Sequence, residues 1–206
     1  EKYEPVEPNP MLGFRGAYRY MVDEQVFELE LTAIKRVREQ HDNLHLMIPF
    51  VRSVRELTRV KKLVYAAGLR RSSSFHLWMM AELPVNVISI ADFISAGIDG
   101  ISIGSNDLTQ LVLGIDRDSG MGKAIANENN PAVKEMIGTV IRKCRERGKY
   151  VGICGQAPSD YPEFTKFLVE QGIDSISLNP DAVIPVIMQI AELEKSSSIS
   201  TDVTPS

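Results

Sequence analysis

The chain has 206 residues, of which 44% are hydrophobic and 24% charged, and a formal net charge of −4. This is a globular composition with enough apolar residues for one sizeable core, and no face gathers the Lys and Arg that a general nucleic-acid binder or a binder of anionic membranes needs. No apolar run approaches the roughly 20 residues that span a bilayer; Cys144 and Cys154 form neither a CxxC pair nor a disulfide framework, so a soluble protein of the reducing cytoplasm is expected.

In chain order, the Pro-rich opening EKYEPVEPNP (1–10) lacks an initiator Met and reads as a cut inside a longer polypeptide, so a fragment is expected. A Gly-flanked loop, NPMLGFRG (9–16), leads into a helical stripe at Phe27, Leu31, Ile34 and Val37. The apolar run LHLMIPF (44–50) predicts a strand, and Val54, Leu57, Val60 and Val64 predict the helix after it. FHLWMMAEL (75–83) predicts the second strand, followed by a stripe at Val87, Ile90, Ala91 and Ile94. GISIGSND (100–107) is the third, with the charged loop DRDSG (116–120) beyond it. The clearest helix is 131–147, where Val133, Met136, Ile137, Val140, Ile141 and Cys144 recur on one face and Pro131 suits the first turn. YVGICG (150–155) predicts a fourth strand, Phe164, Phe167 and Leu168 a short helix, and SISLN (175–179) a fifth strand. Asn179 before Pro180 predicts an N-cap for a helix carrying Ile184, Ile187, Met188 and Ala191. Residues 195–206 lack periodicity and predict a disordered tail after a domain of 1–194.

Strands alternating with helices demand an α/β fold with parallel strands and right-handed crossovers, and their near-continuous apolarity predicts burial on both faces. An open doubly wound sheet and a TIM barrel both fit this alternation. The placement of polar residues favours the barrel, because Pro49, Glu82, Asn106, Asp107, Cys154 and Asn179 all fall at the C-terminal ends of their runs, which converge on one site in that fold.

Several of these residues could carry chemistry. Gly104-Ser105-Asn106-Asp107 ends a strand where backbone amides can face an anion, or forms a strand-to-helix turn capped by Asp107. Glu82 emerges from a run that should be buried and needs a cation, hydrogen bonds or water. Together Glu82 and Asp107 bring two hard oxygen ligands within reach of one Mg²⁺, or are two unrelated surface carboxylates. Arg15, between two glycines, is placed to clamp a carboxylate or phosphate, though such residues are usually solvated or salt-bridged; Arg19, one turn on, has the same default. Cys154 ends a strand, but a free Cys is more often a small core residue. His41, His45 and His76 form no metal spacing and are given no chemistry.

NPMLGFRG, MIPFVRS, MMAELP, SIGSNDLTQL followed by DRDSG, YVGICGQAPSD and SISLNPD, in this order over residues 9 to about 194, resemble the phosphoenolpyruvate-utilising enzyme family. The resemblance implies a partial TIM (β/α)₈ barrel whose five parallel strands are the family's fourth to eighth. The GFRG, DRDSG and ICGQAPSD forms resemble the branch that makes phosphoenolpyruvate from pyruvate, ATP and water through a phosphohistidine. It implies that Arg15 binds the carboxylate or the transferring phosphoryl group and that Glu82 and Asp107 hold Mg²⁺. Gly104, Ser105, Asn106 and Asp107 would line the substrate, with Ser105 in place of a common Thr, and Cys154 would exchange a proton with the substrate's C3. It further implies that the first three strands, a substrate Arg, the phosphohistidine domain and the ATP-binding domain lie outside this chain. The isolated chain is then expected to be inactive in the full reaction, and homo-oligomerisation is expected. Two other readings stand beside this one: a non-catalytic binding or assembly module, and a Mg²⁺-dependent aldolase or lyase on a similar barrel, which would not predict NPMLGFRG or Cys154.

Overall fold

The structure is a computed structural model and describes residues 5–116 and 125–201. The described elements are α1 (Ala17–Val22), α2 (Glu24–Arg38), β1 (Leu46–Ile48), α3 (Val54–Ala66), β2 (Leu77–Ala81), α4 (Pro84–Ile88), α5 (Ile90–Ser95), β3 (Gly100–Gly104), α6 (Ser105–Leu113), α7 (Pro131–Glu146), β4 (Tyr150–Cys154), α8 (Ala157–Asp160), α9 (Pro162–Gln171), β5 (Ser175–Ile176) and α10 (Val183–Thr201). The five strands form one parallel sheet in the order β1-β2-β3-β4-β5, so each strand pairs with its neighbour in the chain, as in a partial (β/α)₈ barrel.

The two faces of this sheet differ. Ile48, Leu77, Met79, Ala81, Ile101, Ile103, Val151 and Ile153 point to one side and lie wholly buried in the core shared with the helices. The alternate positions carry Trp78, Met80, Gly100, Ser102, Gly104, Tyr150, Gly152 and Cys154, and this side is partly open: Tyr150 is 41% exposed. Burial on both faces, expected from the apolar runs, holds for β3, all five of whose residues are buried, whereas alternate positions of β2 and the two ends of β4 are partly exposed. The other side is the concave face of an incomplete barrel, where Gly100, Ser102, Gly104 and Gly152 are buried and Trp78, Met80 and Cys154 are half-buried.

The helices follow their sequence signals. Ser53 Oγ accepts from the Glu56 N–H at 3.2 Å at the start of α3. Asn130 Oδ1 accepts from the Ala132 N–H at 2.9 Å, with Pro131 in the first turn of α7. On α7, Val133, Ile137, Val140, Ile141 and Cys144 have no exposed surface, and each aliphatic side chain so buried contributes roughly 1.5–3 kcal/mol.

Four expectations change. The stripe at Val87–Ile94 is split into α4 and α5 at Ser89. Asn179 does not cap the last helix: Pro180, Asp181 and Ala182 form a turn closed by the Ala182 N–H on the Asn179 carbonyl at 2.9 Å, and α10 begins at Val183. In α10 it is Val186 that is buried, while Ile184, Ile187 and Met188 face outward at 67%, 55% and 62% exposure. The helix continues to Thr201 and so takes in the first residues of the segment read as a disordered tail; 202–206 lie outside the described residues.

Candidate functional site

The site is built on the C-terminal ends of β1 to β4. β2 ends at Ala81, and the chain turns through Glu82 and Leu83 under the control of Asn86, a fully buried residue of α4. Asn86 Oδ1 accepts from the N–H groups of Glu82 and Leu83 at 3.2 and 3.0 Å, and its Nδ2 donates to the Val51 carbonyl at 2.7 Å. One side chain thus ties the loop after β2 to the loop after β1. The sequence offered no partner for Asn86; a polar residue in the first turn after a strand-end carboxylate is the only trace of it.

Glu82 is 4% exposed, and its Oε1 accepts from the Phe50 N–H at 2.6 Å. Phe50 presents that N–H from a left-handed conformation, φ 48°, which is costly for a bulky residue and is held by the surrounding packing. The same contact explains Gly104. A Cβ there would lie 2.8 Å from Glu82 Cβ and 2.9 Å from Glu82 Oε2, so the end of β3 must be glycine to admit the carboxylate beside it.

Asp107 lies in the first turn of α6 at 5% exposure, where the unpaired amides of a helix N-terminus favour a carboxylate. Its Oδ2 is 3.0 Å from Arg15 Nη2, and its carboxyl is in hydrogen-bonding contact with that of Glu82. Arg15 reaches this point from the 9–16 loop with its guanidinium 4.2 Å from the centroid of the Phe50 ring.

Burial pushes the Glu82 carboxyl up to about 7, and the charge of Asp107 adds to this, while the Phe50 N–H and Arg15 pull the other way. A second cation beside Glu82 would relieve this and favour its charged form. The hard oxygens of Glu82 and Asp107 suit Mg²⁺, which takes one or two carboxylates and completes its octahedron with water and substrate oxygens. No group of three or more His, Cys, Asp or Glu that could hold a metal occurs among the described residues, so a cation here would have these two protein ligands.

The raised value has a stability consequence. Below about pH 4.5 the native and unfolded states both hold the Glu82 proton; between about 4.5 and 7 the native state alone holds it, so this stabilisation is lost as pH rises through about 7. Without divalent cations, the thermal midpoint is expected to fall from about pH 5 to about pH 7.5, and Glu82→Gln should flatten that part of the profile. An unchanged slope in the variant would show that another group is responsible.

Cys154 is the last residue of β4 and stands in register with Gly104 on the concave face; its Sγ accepts from Ser102 Oγ at 3.3 Å. Ser105 is fully buried, fills the space that a Gly155 Cβ would need, and its Oγ has no hydrogen-bond partner among the described residues. Asn106 follows it in the first turn of α6. The structure therefore brings Asp107 into contact with Arg15 and beside Glu82, and places Gly104, Ser105, Asn106 and Cys154 around them.

Other candidates fall elsewhere. Cys144 is buried in α7, and burial, with Asp174 adding, pushes its thiol up to about 12. The rings of His45 and His76 pack 4.6 Å apart just before β1 and β2, at the end of the sheet opposite the carboxylates. Arg19 lies in the last turn of α1. Of DRDSG, Asp116 is described and 117–120 lie outside the described residues. A cavity of about 700 Å³ opens between β5, α9 and α10, lined by Ile173, Ile176, Leu178, Val183 and Ile187, and shares no residue with the carboxylate site.

Residues 1–195 match the family model described as PEP-utilising enzyme, PEP-binding domain. The chain is 52% identical over 199 residues to the phosphoenolpyruvate synthase of Neisseria meningitidis serogroup B, covering 94% of this chain and 25% of that protein. It is 49% identical to that of Pseudomonas aeruginosa (92% and 24% covered) and 48% identical to that of Escherichia coli K12 (95% and 25%). The chain thus spans about a quarter of the length of the curated relatives it matches. No helix among the described residues is long and apolar enough to cross a membrane.

Proposed function

The chain belongs to the PEP-utilising enzyme family, and on that premise we propose that it is the C-terminal, substrate-binding part of a phosphoenolpyruvate synthase acting in the cytoplasm. The reaction is pyruvate, ATP and water to phosphoenolpyruvate, AMP and phosphate, and this barrel hosts the half in which pyruvate becomes phosphoenolpyruvate. The observation that carries the reading is the pair of buried carboxyls of Glu82 and Asp107 at the strand ends, with Arg15 on Asp107.

Glu82 and Asp107 would hold Mg²⁺, which when bound supplies a Lewis acid for the substrate oxygens. Arg15 offers a planar fork of donors to a carboxylate or phosphoryl group, and Phe50 gives it a platform. Gly104, Ser105 and Asn106 bring backbone amides and two polar side chains to the anionic end of the substrate. Cys154 takes the proton from C3 as pyruvate enolises and returns it in the reverse direction. The enolate oxygen accepts the phosphoryl group from a phosphohistidine on a domain outside this chain, with ATP bound on another. Catalysis of that transfer is mostly positioning and charge neutralisation. The apolar surface left at β5 and α10 supports assembly with further parts of the same polypeptide and with a second copy.

Oxalate, a planar dianion that mimics enolpyruvate, tests the reading by calorimetry on this chain. Binding that requires Mg²⁺ is the expected result. Binding indifferent to Mg²⁺, or none, would favour the non-catalytic module instead.

A further inference from the structure

Arg52 lies two residues beyond Phe50 in the turn between β1 and α3, and nothing above gives it a role. Its guanidinium reaches across to the loop that carries Arg15. Nη2 donates to the Gly13 carbonyl at 2.6 Å and to the Leu12 carbonyl at 3.3 Å, and Nη1 donates to the Arg15 carbonyl at 3.4 Å. Its own backbone is fixed in turn, because the Arg52 N–H donates to Glu56 Oε2 at 2.7 Å in the first turn of α3. The guanidinium also lies 4.8 Å from the centroid of the Phe50 ring, the ring that Arg15 covers at 4.2 Å.

We propose that Arg52 is a positioning residue for Arg15: its fork clasps three carbonyls of the 12–15 segment and fixes the point from which the Arg15 side chain reaches the site. The inference rests on the reading of Arg15 as the substrate clamp. Among the described residues the segment is also held by short-range turns, Leu12 N–H to Asn9 O, Gly13 N–H to Pro10 O and Arg15 N–H to Gly13 O, by the Phe14 N–H on Glu7 Oε2 at 2.8 Å, and by the Arg15 side chain on the Met11 carbonyl and on Asp107. Three carbonyls at these separations need the planar, multi-donor guanidinium; the compact ammonium of lysine keeps the charge without the fork. Both arginines share Phe50, whose N–H binds Glu82, so the clasp couples the clamp to the carboxylate pair through one side chain.

The test uses Arg52→Met and Arg52→Lys in the full chain, each alone and combined with Arg15→Met. Two quantities are read: amide hydrogen exchange of residues 11–17 and affinity for oxalate in the presence of Mg²⁺. Both single variants should speed exchange in that segment while leaving β3 and α7 protected, and should weaken oxalate binding by about 10- to 100-fold, the scale on which small misplacements of a positioned group act. In the Arg15→Met background the Arg52 substitutions should change affinity little, since no clamp remains to be placed. Unchanged exchange overturns the clasp. Equal losses of affinity in both backgrounds, or full affinity in Arg52→Lys, overturn the positioning role. Arg15→Met alone reports on the underlying reading: if it leaves oxalate affinity intact, Arg15 is not the clamp and the positioning role falls with it, whereas exchange still reports whether Arg52 holds the segment.

Discussion

Glu82→Gln is expected to abolish Mg²⁺-dependent oxalate binding, a loss of at least about 100-fold, while leaving the fold intact at neutral pH. The amide oxygen of Gln can still accept the Phe50 N–H that Glu82 Oε1 binds at 2.6 Å, so the turn after β2 keeps its anchor. What disappears is the second negative charge beside Asp107, and with it one of two hard ligands in a site where Mg²⁺ has few to lose. The substitution also removes a carboxyl that burial already disfavours in its charged form, so a neutral or raised thermal midpoint is expected at about pH 7.5. Asp107→Asn should lose binding equally but also leave the Arg15 guanidinium, 3.0 Å away, without its counterion. Calorimetric titration of both variants decides the matter; affinity within about threefold of the parent chain would remove the carboxylate pair from the site.

The second large effect separates the two cysteines. In the longer enzyme proposed to contain this chain, Cys154→Ala should slow proton–deuterium exchange at the C3 of pyruvate by about 10²–10⁴-fold, the usual contribution of a positioned acid–base group. Mg²⁺-dependent oxalate binding should persist, because the Cys154 thiol is held by Ser102 and is not one of the proposed metal ligands. Cys144→Ala should leave exchange unchanged and cost stability on the order of 1 kcal/mol, since it removes a buried packing atom. Its thiol, pushed up to about 12, supplies no thiolate at neutral pH. Full exchange in Cys154→Ala, or a larger loss in Cys144→Ala, would reverse the assignment.

Much of this arrangement was legible because apolar runs ending in polar residues mark strand ends, and Glu82, Asp107 and Cys154 each stand at such a place. The α7 stripe and its Asn130-Pro131 start were equally plain, since they depend on local spacing. What escaped was set by partners distant in sequence. Asn86 matters through Val51, and Arg52 through Leu12, Gly13 and Arg15, 37 to 40 residues away. The left-handed backbone of Phe50 follows from Glu82 and the packing around it, not from anything in MIPFVRS. GISIG reads as uniformly apolar, yet Ile101 and Ile103 face the helices whereas Ser102 and the flanking glycines face the concave side; composition hides that division. In α10 the helical period was visible but not which side faces the body of the molecule.

The strand order β1-β2-β3-β4-β5 bears on how the molecule comes apart. Every pairing joins strands consecutive in the chain, so the sheet behaves as a row of units, each stabilised by its immediate neighbours, and unzips from its ends. Among the described residues β2, β3 and β4 each have a strand on both sides; β1, with three residues, and β5, with two, have one. Opening at the β5 end leaves the carboxylates and the thiol untouched. Opening at the β1 end withdraws the Phe50 N–H from Glu82 first. Partial unfolding is thus graded in its effect, and amide protection should decline from the three central strands outward before any global transition.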